Sequence, residues 1–101
     1  MRNKFYYDVV KDIKKRFPLD YPVHVRRVST PDGISGDCCF DKKKKIYLIR
    51  INKKLAQFLA IETFVHEYGH AMIWKEEKED HDETWGKAFS LIYRAFIENW
   101  C

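Results

Sequence analysis

Residues 63–74 read TFVHEYGHAMIW, and His66-Glu67-Tyr68-Gly69-His70 within them has the form H-E-x-x-H. On an α-helix, residues four apart lie one above the other on the same face. A helix here would therefore let His66 and His70 point a ring nitrogen each at one metal ion. Glu67 is offset by one residue, which sets its carboxylate beside the ion. Two neutral imidazoles that hold zinc, with a carboxylate to take a proton from the metal-bound water, are what zinc-assisted hydrolysis requires. The chain has four histidines and seven glutamates, so chance placement yields the pattern in about one such chain in a hundred. The bland alternative is a pair of helix-surface histidines beside a glutamate. Helical context and a third ligand separate the two readings.

The flanking pattern predicts the helix. Leu55, Phe58, Leu59, Ile61, Val65, Met72 and Ile73 give a broad apolar face at helical spacing. Asn52 is a good N-cap, and the helix is expected over about residues 53–74. Glu62 and Thr63 fall one turn before His66 and Glu67, on the same side. Gly69 costs about 1 kcal/mol relative to alanine inside a helix, and its expected use is close approach of another backbone segment or of the sheet. For the third ligand, His81 lies eleven residues beyond His70, across the polar stretch KEEKED. A catalytic zinc takes three protein ligands and keeps one water position, and histidine suits it well. Glu77, Glu79, Glu83 and Glu98 are the competitors. His24 is expected to be structural or on the substrate side.

Elsewhere the chain reads as one small α+β domain over residues 1–101. Phe5, Val9, Ile13 and Phe17 recur every four residues with Tyr6 and Val10 alongside, which predicts an amphipathic helix over 4–16 that Pro18 stops. Residues 22–28 (PVHVRRV), 36–40 and 46–51 (IYLIRI) read as strands. Thr30-Pro31-Asp32-Gly33 is a turn and residues 41–45 a polar hairpin tip, so a small, mostly antiparallel three-stranded sheet is expected. The face of the last strand that carries Arg50 is the one to meet solvent. A final helix opens near His81, where Asp80 and Glu83 could form a capping box. Trp85, Phe89, Ile92 and Phe96 form its stripe, read as core.

Composition bounds the functional classes. The chain is 46% hydrophobic and 16% aromatic, enough for a core, and no stretch is long and apolar enough for a bilayer. The N-terminus lacks an apolar run of signal-peptide type, which reads as cytoplasmic. Three cysteines, two of them adjacent at 38 and 39, form neither a disulfide framework nor a zinc ribbon. The net charge of +4 is compatible with an acidic partner such as nucleic acid but does not require one. The basic groups at Lys11, Lys14, Lys15 and Arg16 and at 42–45 read first as a solvated helix face and a charged hairpin tip. No Gly-rich phosphate loop is present.

Residues 63–71 (TFVHEYGHA), followed by His81-Asp82-Glu83-Thr84-Trp85-Gly86, resemble the SprT-like group of zincin metallopeptidases and the small H-E-x-x-H proteins of phages and prophages. The resemblance covers about residues 36–96. Asp82 stands where the family usually has glycine, and the separate zinc-ribbon and DNA-binding regions of larger relatives are not seen. It implies a minimal zincin domain with Zn2+ on His66, His70 and His81 and with Glu67 as general base. The activity implied is hydrolysis of a protein or peptide substrate. The alternative is a zincin-fold binding or regulatory protein that keeps zinc but has little peptidase activity. Tyr68, Tyr93, Arg94, Tyr47 and His24 are open as oxyanion helpers. The resemblance also suggests that an extended peptide adds to the strand near residues 36–40 or 46–51.

Overall fold

In the computed structural model, which describes residues 4–74 and 83–100, helix α1 is Lys4–Arg16. It has the predicted bounds, and it buries Tyr6, Val9, Val10 and Ile13. Phe5 and Phe17, at the margins of the same stripe, are only partly buried. On the wet side Lys4 pairs with Asp8 at 3.1 Å and Arg16 with Asp12 at 2.8 Å.

Strands β1 (Val23–Val28), β2 (Gly36–Asp41) and β3 (Ile46–Asn52) form a mixed sheet in the order β1-β3-β2. β2 and β3 are the antiparallel hairpin expected, with Gly36 opposite Ile51 and Asp41 opposite Ile46. The tip is organised by Asp41, whose side chain accepts from the amides of Lys43 and Lys44. β1, however, runs parallel to β3, with Val23 opposite Tyr47, so the mostly antiparallel expectation fails for one of the two pairings. The reversal is present: Ile34 N–H donates to the Pro31 carbonyl at 3.0 Å and Gly33 takes φ +82°. It carries the chain over the end of β3 instead of folding β2 back onto β1. Strand β3 is central, and its buried residues are Tyr47, Ile49 and Ile51, whereas Arg50 faces solvent as expected.

Helix α2 (Gln57–Met72) starts later than the apolar pattern suggests. Asn52 is not its cap. The Asn52 side chain instead accepts from the Lys54 amide at 2.9 Å, and Ala56 occupies the N-cap with no side-chain bond. The cause is Arg27. Its Nη2 donates to the carbonyls of Asn52, Lys53 and Leu55 at 3.3, 3.2 and 3.0 Å. Those carbonyls are thereby held in a loop, and the guanidinium also lies 4.9 Å over the Tyr6 ring.

α2 is the hub. It packs on β2, β3, α1 and helix α3 (Glu83–Trp100). Ala60, Ile61, Phe64, Val65 and Tyr68 of α2 join Ile49 and Ile51 of the sheet and Ile92 and Phe96 of α3 in one core. No described helix is long and apolar enough to cross a membrane. Asp80, and with it the capping box expected before α3, lies outside the described residues.

Gly36 sets the distance between α2 and the sheet. A Cβ there would lie 2.6 Å from the Arg50 carbonyl oxygen and 2.8 Å from Thr63 Cγ2. One neighbour is ladder backbone and the other a side chain anchored on α2, so neither yields cheaply. Gly36→Ala is expected to cost about 2 kcal/mol by overpacking. For a domain of this size that lowers Tm by about 10 °C, readable by thermal denaturation. A Tm unchanged within 2 °C, taken as roughly 0.5 kcal/mol, would show that α2 does not rest on this contact.

Candidate metal and hydrolytic site

His66, Glu67 and His70 all lie on α2. The two imidazoles are on successive turns, with ring centroids 5.2 Å apart. The Glu67 side chain is nearly buried, and its Oε2 lies 4.0 Å from His66 Nε2. His70 is also buried, whereas the His66 side chain is about one-third exposed. His66 and Glu67 open on a cleft of about 470 Å3. Its described lining comes from three places: Gly33 to Gly36 at the entry to β2; Glu62, Thr63, His66 and Glu67 on α2; and Phe89 on α3. Glu62 and Thr63 thus share the side of His66 and Glu67, as the helical spacing predicts.

His81 lies outside the described residues, as do Glu77 and Glu79. Among the described residues no third histidine, cysteine, aspartate or glutamate groups with His66 and His70. Glu83 is exposed and pairs with Lys87 at 3.6 Å, Glu98 is exposed on α3, and His24 is exposed on β1.

Two walls of the site were not read as such from sequence. Trp85 was expected in the core. It is only half-buried, and its ring lies 5.6 Å from His70 at an interplanar angle of 28° and 4.9 Å from His66. Its Nε1–H donates to the His66 carbonyl at 3.2 Å. Phe89 stacks on Trp85 at 5.1 Å and continues the wall into the cleft. The signal that could have found them is Gly69. A Cβ there would meet Trp85 Nε1 at 3.1 Å and the Phe89 amide nitrogen at 3.5 Å. The glycine expected to admit a close neighbour therefore admits α3 and its indole.

Four of the five oxyanion candidates are directed elsewhere. Tyr68 is buried against α1, and its hydroxyl donates to the Phe17 carbonyl at 2.6 Å. Burial pushes its phenol well above the ordinary value. Tyr47 donates to Asp20 at 3.0 Å, and burial, reinforced by that bond, pushes it up to about 12. Arg94 lies along an outer groove of α3 with Lys87 and Leu91. His24 is on β1, which makes no substantial contact with α2. Tyr93 is the exception: its hydroxyl stands 3.5 Å from Glu62 Oε2, at the cleft wall.

A peptide cannot add to β3, because both its edges are already paired; among the described strands β2 is the edge strand nearest the cleft. Comparison with known protein families and with characterised proteins finds no match to this chain.

Proposed function

We propose that this chain is a zinc-dependent metallopeptidase with a minimal, SprT-like zincin architecture. The observation that carries the reading is the placement of His66 and His70 on successive turns of one helix, with the Glu67 carboxylate nearly buried beside them at the base of a cleft. The donor set fits zinc, which takes imidazole nitrogen readily. His66 and His70 would hold it, with His81 the third ligand on sequence grounds. Zinc, when bound, supplies Lewis-acid chemistry that acidifies water and polarises a carbonyl.

The chain's own residues do the rest. Glu67 takes the proton from the attacking water and returns it to the leaving amine. Its low exposure strips competing solvent from the carboxylate, whose Oε2 lies 4.0 Å from His66 Nε2. Trp85 keeps both imidazoles from turning, because its ring covers them and its N–H ties α3 to the backbone of His66. An extended peptide along the β2 edge would pass the cleft within reach of Glu67.

The test is metal content on untagged protein. The parent is expected to hold about one zinc per chain, and His66→Ala to lose it while keeping its circular-dichroism spectrum. A parent that takes up no zinc, even when zinc is supplied, would sink the reading. A parent that holds zinc and cleaves no protein or peptide would point to the zincin-fold binding protein instead.

A further inference from the structure

Among the described residues that line the cleft, Glu62 is the one charged group that the proposed hydrolysis leaves unused. Its side chain is half-buried on the wall, one helical turn before His66. Its described hydrogen bond is a long one, at 3.5 Å, from the Tyr93 hydroxyl. No cation pairs with it among the described residues, although the chain carries 19 lysines and arginines. The described lining has no lysine or arginine at all, and its second charge is the carboxylate of Glu67. A half-buried carboxylate that faces a cleft whose described lining has no lysine or arginine can accept a charge-assisted hydrogen bond from a cation there. Beside it, Ile34 is 42% exposed and, with Phe89, offers apolar surface of the kind an alkyl stem covers.

We propose that the cleft selects a peptide bearing a cationic nitrogen, an ammonium or guanidinium that Glu62 receives close to the bond presented to Glu67. The proposal rests on the peptidase reading for its substrate class. The register follows from geometry. Glu62 and Glu67 are five residues apart on α2, about 7.5 Å along its axis at about 1.5 Å per residue, and an extended peptide advances about 3.4 Å per residue. The cation therefore sits about two residues from the scissile bond. Two sources could supply it: a lysine or arginine side chain, or a free α-amino terminus. Tyr93 is a positioning residue in this scheme. Its hydroxyl and its ring, stacked on Phe89 at 5.6 Å, hold Glu62 toward the cleft.

The experiment uses zinc-supplemented full-length chain and capped Ala/Ser/Thr dodecapeptides whose central residue is lysine, arginine, norleucine or glutamate. An uncapped norleucine peptide supplies the free amine. Hydrolysis is followed in the parent, and binding by fluorescence anisotropy in Glu67→Gln, alone and combined with Glu62→Gln. The lysine and arginine peptides are expected to bind and to be cleaved about tenfold better than norleucine, the scale of one charge-assisted contact. Glu62→Gln is expected to erase that preference and leave the norleucine values within twofold, whereas a merely structural role would lower all peptides together. Preference for the uncapped peptide alone would assign the cation to the α-amino terminus. Equal binding of all peptides, a lysine preference that survives Glu62→Gln, or no binding of any peptide would overturn the proposal. Selective binding without hydrolysis by the parent would keep the cation site and remove the peptidase reading, so the two fail separately.

Discussion

Replacing Glu67 by glutamine is expected to lower peptide hydrolysis by about 10²- to 10⁴-fold, the range assigned to a positioned general base, and to leave zinc content unchanged. Glutamine has the shape of glutamate and can still accept a hydrogen bond, but it does not take up a proton at neutral pH. The position is only 8% exposed, so the substitution exchanges a nearly buried group for one of equal volume and no charge. Stability should hold, because the side-chain volume is conserved. The three readouts together isolate the role. A fall in hydrolysis with zinc and Tm retained assigns Glu67 to proton transfer. Loss of zinc would mean that the carboxylate also organises the metal ligands. Hydrolysis within tenfold of the parent would remove Glu67 from the chemistry.

The part of this site that sequence exposes is the part governed by local geometry. His66, Glu67 and His70 are separated by fixed turns of one helix, so their relation was legible once the stretch was read as helical. The same holds for α1, whose apolar stripe and Pro18 set both ends, and for the β2–β3 hairpin around Asp41. What could not be read depends on partners distant in the chain. The carbonyls of residues 52–55 look ready to begin a helix until Arg27, donated from β1, engages them. The turn at Pro31 to Ile34 looks like a hairpin because turn chemistry reports a reversal and not which strand lies across it. A weak signal existed there. Residues 46–51 are the most apolar and β-branched of the three strands, as suits a central strand flanked on both edges. Trp85 and Phe89 carry the periodicity of core residues. Only the packing of α3 against Gly69 shows that they face the imidazoles.

That packing makes Trp85 the most consequential residue outside the motif. Truncating Trp85 to alanine removes the ring that covers His66 and His70, its stack with Phe89 and its bond to the His66 carbonyl. Full truncation of a core aromatic costs 3–5 kcal/mol; for this half-buried ring about 3 kcal/mol is expected. Groups that orient metal ligands are typically worth 10- to 100-fold in affinity, so zinc should bind about 10- to 100-fold more weakly. Trp85→Phe separates the two contributions. It keeps an aromatic face toward the imidazoles while losing the N–H, at about 1 kcal/mol, and part of the fused ring, so zinc affinity should stay within about threefold of the parent. Gly69→Ala approaches the same ring from the other side. Its Cβ would press on Nε1 at 3.1 Å, which asks the indole to give by a few tenths of an ångström without deleting it. Competition with a chromogenic chelator reads all three variants, and thermal denaturation separates affinity from folding. If Trp85→Ala remained folded and bound zinc as tightly as the parent, the indole would be packing alone, and the imidazoles would have to be held by contacts within α2.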